Sequence, residues 1–130
     1  MRDWTVISSF GGLDLTESFI LSWTAENGDA LFEVDFALAE GHPDYRQPGQ
    51  DEWACFRRGT LRFPNVRSLA GLPPMTQVRP AVDATGELDY GHFDSFVEVA
   101  SGQFEVAGVI SVFSVSKCDQ PTVAVHAIGL

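Results

Sequence analysis

Acidic side chains and a histidine crowd the stretch Asp83–Phe96, DATGELDYGHFDSF, which gathers Asp83, Glu87, Asp89, His92 and Asp94. Oxygen ligands on a glycine turn suit hard cations such as calcium. The spacing departs from an EF-hand loop, because Thr85 takes a ligand slot, Gly86 comes too early and no helices flank the segment. A turn rich in Asp and Gly is the plain backbone reading. His92 and Asp94 stand two positions apart in a segment that reads as strand, so both point to one face. With Asp89 they form a set able to hold a transition metal, or to act as a base with its orienting carboxylate. Spacing fixes no further ligand, so no metal and no cofactor are assigned.

A second candidate surface is the loop Ala39–Asp51, AEGHPDYRQPGQD, with two prolines, two glycines and the side chains of His42, Tyr45 and Arg46. Loops longer than about a dozen residues without structure of their own are uncommon in compact domains and are often functional. The candidate contact residues are therefore His42, Tyr45, Arg46, Asp89, Tyr90, His92 and Asp94. The chain has no GxSxG elbow, P-loop, dinucleotide fingerprint or HExxH, and neither Cys55 nor Cys118 sits in a catalytic context. Carboxylates are too numerous for any one glycosidase pair to stand out. No catalytic residue is assigned, and the expectation is a non-enzymatic protein.

Both loops must be held by strands. The organising stretch is Asp29–Phe63, in which DALFEVDFAL alternates Phe32, Val34, Phe36 and Leu38 against Glu33, Asp35 and Ala37. That two-residue period marks a half-buried strand. In EWACFRRGTLRF, Trp53, Cys55, Gly59, Leu61 and Phe63 share the inward parity, and Ala54, Phe56, Arg58, Thr60 and Arg62 the outward one. Antiparallel pairing then sets Glu33 and Asp35 across from Arg58 and Arg62, which helps fix register. Arg57 falls among inward groups and must snorkel out, meet a buried acid, or sit at a bulge beside Gly59.

Elsewhere, DWTVISSF reads as a first strand with Trp4, Val6 and Phe10 on one side. LDLTES has room for one helical turn at most. ESFILSWTAE sets Phe19, Leu21 and Trp23 on one parity, and the NGD that follows makes residues 17–38 a hairpin. Pro73, Pro74 and Pro80 limit the middle of the chain to short edge strands near 66–69 and 77–82. FEVAGVISVFSVS reads as one continuous strand or as two strands kinked at Gly108, buried on both faces like a central strand, and TVAVHAIGL as a terminal strand. Eight or nine short strands with regular turns and no helix beyond one turn predict a single all-β domain over residues 1–130, an antiparallel sandwich or a partly closed barrel.

The 130 residues, 45% hydrophobic with ten Phe and three Trp, are ample for one core. Eighteen acids against eight bases leave a formal charge of −10, which argues against nucleic acid and favours encounter with basic partners. MRDWTVISSF has neither the basic start nor the apolar core of a signal peptide, and no stretch approaches a membrane span. The expected compartment is the cytoplasm, with Cys55 and Cys118 reduced.

In the strands FILSWTAENGDALFEVDF, EWACFRRGTLRFPNV and FEVAGVISVFSV, the order of segments from Phe19 to Val115 resembles that of small bacterial all-β proteins, some grouped with the immunity proteins of polymorphic toxin systems. The resemblance implies a cytosolic, non-enzymatic binder that occludes a toxin domain, and the charge of −10 makes a basic one the expected partner; no functional residue is carried over from the resemblance. Two other readings stand beside it: a carbohydrate-type small-ligand module with Tyr45 or Tyr90 as stacking platform, and a structural subunit that meets a partner or a second copy through apolar strand edges.

Overall fold

The computed structural model describes residues 1–82, 86–108, 112–116 and 118–126. They form an all-β sandwich of antiparallel sheets. One sheet holds β1 (Arg2–Asp3), β8 (Phe93–Ala100), β9 (Gln103–Gly108), β10 (Val112–Ser116) and β5 (Ser68–Ala70), in that order. The other holds β11 (Thr122–Val125), β4 (Cys55–Phe63), β3 (Asp29–Leu38) and β2 (Leu13–Glu26). A separate ribbon pairs β6 (Ala81–Val82) with β7 (Leu88–Asp89). Among the described residues the sheets stay open, which sets the barrel alternative aside. Among the described residues eleven strands stand against the eight or nine expected, and the additions include β7, a two-residue piece too short to leave a periodic signal.

Phenylalanines join the two sheets. Phe32 of β3 stacks on Phe113 of β10 at 5.4 Å, and Phe63 of β4 stacks on Phe96 of β8 at 5.7 Å and meets Phe104 of β9 edge-on. All five rings are buried. Such pairs add about 0.5–1.5 kcal/mol each beyond the area they bury, so the facing of the sheets is specified by aromatic contacts from both sides.

The β3–β4 pair is the hairpin-like centre of its sheet, with register unbroken from Ala30↔Phe63 to Leu38↔Cys55. Phe32, Val34, Phe36 and Leu38 are buried as their alternation requires. Asn27 and Gly28 both take positive φ, 53° and 79°, the backbone of a tight turn whose twist matches that of the β2 and β3 strands it joins. Gly59 marks a close approach and not a bulge: a Cβ there would lie 2.5 Å from the Ala124 carbonyl and 2.9 Å from the Phe36 ring. Arg57 escapes the core sideways, donating to the His126 carbonyl and lying 4.0 Å from the Asp44 carboxylate.

Several expected elements are different. DWTVISSF is not a strand beyond β1; two 3₁₀ turns, Trp4–Val6 and Ser8–Phe10, follow it. Their period of three buries Ile7 and Phe10 and leaves Val6 62% exposed. LDLTES is the start of the 14-residue β2, carried through two register shifts. At the first, the buried Ser18 hydroxyl donates to the Asp14 carbonyl at 2.7 Å and accepts from the Ala37 N–H at 2.9 Å, replacing ladder bonds the bulge removes. At the second, Leu21 is the extra residue. The inward set is consequently Ser18, Ile20 and Trp23, and Phe19 and Leu21 turn outward, contrary to the simple alternation. FEVAGVISVFSVS supplies two strands, the antiparallel β9 and β10, with Phe104↔Val115 and Val106↔Phe113 inward and Val112 70% exposed, so the two-strand alternative holds and burial on both faces does not. Residues 109–111, and the end of the expected terminal strand at 127–130, lie outside the described residues.

Candidate functional site

Trp53 is the feature that parity misplaces most. Its expected inward position is corrected to 63% exposed, because residues 51–54 turn and bend before β4 begins at Cys55, so Trp53 is never in the ladder. Its ring meets Phe56 at 5.1 Å and Phe19 at 6.4 Å, both edge-on, and Phe19 and Phe56 lie 6.0 Å apart. These rings stand on the outer face of the four-stranded sheet, away from the core.

Backbone pairing dictates what surrounds them. Phe19 is opposite Asp35, Asp35 is opposite Arg58, and an isolated bridge sets His92 beside Phe19. One row across the sheet thus reads His92, Phe19, Asp35, Arg58. The segment Tyr90–Gly91 hydrogen-bonds the backbone of Ile20 in both directions, at 2.8 and 2.9 Å, which clips the acidic stretch along the β2 edge. The result is a groove of about 320 Å³ lined by Phe19, Leu21, Asp35, Trp53, Phe56, Glu87, Leu88 and Asp89. Arg58 donates to Glu87 at 2.5 Å. Burial pushes the Asp35 carboxyl above its usual range, against the pull of Arg58 and with the repulsion of Glu87.

Of the sequence-predicted residues, Asp89 lines the groove while accepting from the Gly91 N–H at 2.8 Å. His92 lies edge-on to Phe19 at 6.4 Å and pairs with Asp94 at 3.0 Å, as strand geometry anticipates. Tyr90 is half-buried against Trp23, 4.9 Å between ring centres. Tyr45 is half-buried against the core, His42 accepts from the Asp44 N–H through Nδ1, and Arg46 pairs with Glu52 at 3.4 Å; none of the three lines the groove. The long loop contributes through Trp53, two residues past its expected end. Asp83 and Thr85 of the calcium comparison lie outside the described residues.

Sequence reasoning missed Phe19, Asp35, Trp53 and Phe56 as site residues. One signal was present: Phe56 shares its parity with Arg58, Thr60 and Arg62, and an aromatic on a charged face is what a contact surface displays. Further along the same face, Thr60 donates to Glu33 at 2.6 Å and lies 3.0 Å from His126 Nε2. Among the described residues no group of three His, Cys, Asp or Glu side chains is placed to hold a metal, and no helix is long and apolar enough to cross a membrane. Cys55 and Cys118 are both free and buried, and burial pushes the Cys118 thiol up to about 11. No family model, no curated protein and no solved structure matches the chain.

Proposed function

We propose that this chain is a non-enzymatic, acidic protein-binding module of the immunity type, acting in the cytoplasm on a basic toxin domain. The observation that carries the reading is the exposed Trp53, backed by Phe19 and Phe56 and bordered by Asp35, Glu87 and Asp89. A tryptophan left 63% exposed where an adjacent apolar floor exists is the composition of an interface anchor, since large aromatics concentrate binding energy and charged rims set orientation. A formal charge of −10 accelerates encounter with a basic surface. The free thiols are in keeping with a reducing compartment.

The test compares wild type, Trp53→Ala and Val6→Ser, the last an exposed position on the first 3₁₀ turn, as bait in cell lysate at low and moderate salt. A stoichiometric basic protein retained by Val6→Ser and weakened about 30-fold or more by Trp53→Ala is expected, as for loss of a central anchor. Co-expression with that partner should relieve its toxicity for wild type and not for Trp53→Ala. Equal recovery by both variants, or no basic partner, overturns the reading. The groove volume also falls at the small end of ligand pockets, which keeps a carbohydrate-type ligand as the second reading.

A further inference from the structure

We infer that the groove between Trp53 and the Glu87–Asp89 segment takes one arginine side chain of a partner protein, with the guanidinium held against the aromatic rings and between the carboxylates. The inference rests on the protein-binding reading and names the chemistry that its contact selects. Three rings, from Phe19, Trp53 and Phe56, converge on a cavity that also displays three carboxylates, from Asp35, Glu87 and Asp89. A cation over an aromatic face is attracted by the ring quadrupole, and the attraction grows where water is partly excluded. Among the described residues Arg58 is the cation seen beside these acids, and it donates to Glu87. Three carboxylates against one guanidinium leave the groove with an excess of negative charge.

Desolvation strengthens the argument at Asp35. Its carboxylate sits on the groove floor, in the row between Phe19 and Arg58, where burial disfavours its charge. An arriving cation relieves that penalty; a neutral ligand does not. Arginine fits better than lysine because a planar guanidinium stacks on an aromatic ring while donating in its plane to carboxylates, whereas an ammonium is a compact and strongly hydrated point charge. A sugar would use the rings, yet it brings no charge to a floor that carries an excess of acid.

The test uses the full chain and a short capped peptide, acetyl-Gly-Arg-Gly-amide, beside its citrulline counterpart, which keeps the shape and removes the charge. The indole N–H resonances report binding. Trp53 should shift, while Trp23, whose Nε1 donates to the Pro73 carbonyl at 2.8 Å, serves as the internal control. Arginine should bind about tenfold or more tightly than citrulline. Titration calorimetry, which needs no reporter indole, should show binding abolished in Trp53→Ala, and Glu87→Gln should weaken it about fivefold, because it both removes a carboxylate and releases Arg58 toward the ligand. Equal affinity for the two peptides, or a Trp53 shift produced by neutral oligosaccharides and not by the arginine peptide, overturns the inference. A basic protein partner that needs Trp53 while the arginine peptide leaves Trp53 unmoved overturns the inference alone and leaves the protein-binding reading standing. Arginine-specific binding with no protein partner defeats that reading instead.

Discussion

Replacing Glu98 with Gln should destabilise the fold by about 2 kcal/mol at neutral pH, and the loss should fade in acid. Glu98 is 4% exposed in β8, and its carboxylate gathers parts far apart in sequence. It accepts from both Nε and Nη2 of Arg2, from the Gln120 amide at 2.7 Å and from the Gly102 N–H at 3.3 Å. Arg2 is half exposed, so solvent screening reduces its share to the range of surface pairs, about 0–1 kcal/mol. The Gln120 and Gly102 bonds each lose roughly 1 kcal/mol when a charged acceptor becomes neutral and its new amide N–H₂ faces donors. Burial opposes the charge, yet the bonds from Arg2, Gln120 and Gly102 overcome it and hold the carboxyl below its usual range. A depressed folded-state value means that this stabilisation is complete above the unfolded glutamate value of about 4.3 and disappears as pH falls through the lower folded value. Urea melts of wild type and Glu98→Gln at pH 7 and in steps down to pH 3 read the difference, which cancels the titration of the other acids. At neutral pH the midpoint temperature should fall by about 6–10 °C. A difference below about 0.5 kcal/mol, or one that is independent of pH, would refute the reasoning, since a neutral side chain would then serve the site equally well.

Other outcomes follow from particular contacts. Ser18→Ala should cost about 1–3 kcal/mol in a urea melt, because it leaves the buried Ala37 N–H without an acceptor at the β2 bulge; an unchanged midpoint would mean that water replaces the hydroxyl. Gly59→Ala should cost about 1–3 kcal/mol by forcing a methyl into the Ala124 carbonyl and the Phe36 ring, again read by urea denaturation. Native Cys55 and Cys118 should react with a thiol reagent at pH 8 only on unfolding, and prompt labelling of either would contradict their burial. Asp35→Asn should leave neutral stability unchanged or raise it: an acid whose folded value is raised contributes stability at low pH and loses it as pH rises through that value, so the charged form works against the fold at pH 7. The same variant should weaken the arginine peptide, measured by the Trp53 indole shift.

Legibility in the sequence followed the strength of the period. β3 and the Asn27–Gly28 turn were readable because four inward apolar residues alternate without a break and the turn residues alone tolerate positive φ. The β-class followed from the repeated short alternation, which left an antiparallel sandwich and a partly closed barrel both open; strand order, which alternation does not encode, decides between them. Bulges defeated the reading in two places, since one extra residue inverts every assignment beyond it. Leu21 turns Phe19 outward, and Asp94 allows Phe93 and Phe96, three apart, both to be buried. Gly108 offered a division between β9 and β10, but their antiparallel pairing was hidden because Val109, Ile110 and Val112 extend the apolar run past it. The candidate site was half legible for a related reason: acidity and the histidine pointed to Asp89 and His92, whereas parity assigned Trp53 inward and left Phe56 as a lone aromatic on a charged face. Tyr45 and Tyr90 attracted attention as loop aromatics, and the fold packs both rings against its own interior.

What folding does not require is concentrated at one place on the surface. The core closes on Phe32, Phe63, Phe96, Phe104 and Phe113 without any help from Trp53, which leaves most of its ring in water. Asp35 sits where its charge is disfavoured, although serine or asparagine at that outward position of β3 would satisfy the strand. Each feature alone has a neutral explanation: surface aromatics occur, and acids on strands keep proteins soluble. Their convergence is less easily neutral, because the register Phe19↔Asp35↔Arg58 and the clip from Tyr90–Gly91 to Ile20 bring rings and acids from four separate stretches of chain to one groove. A destabilising charge beside an exposed anchor is the pattern expected when a site is shaped for a ligand that supplies the missing cation, and stability is lower until it arrives. The physical consequence is reciprocal. If an arginine side chain binds the ionised Asp35 more tightly than the protonated form, then binding must release a proton as pH falls toward the raised Asp35 value, and affinity must decline over that same interval.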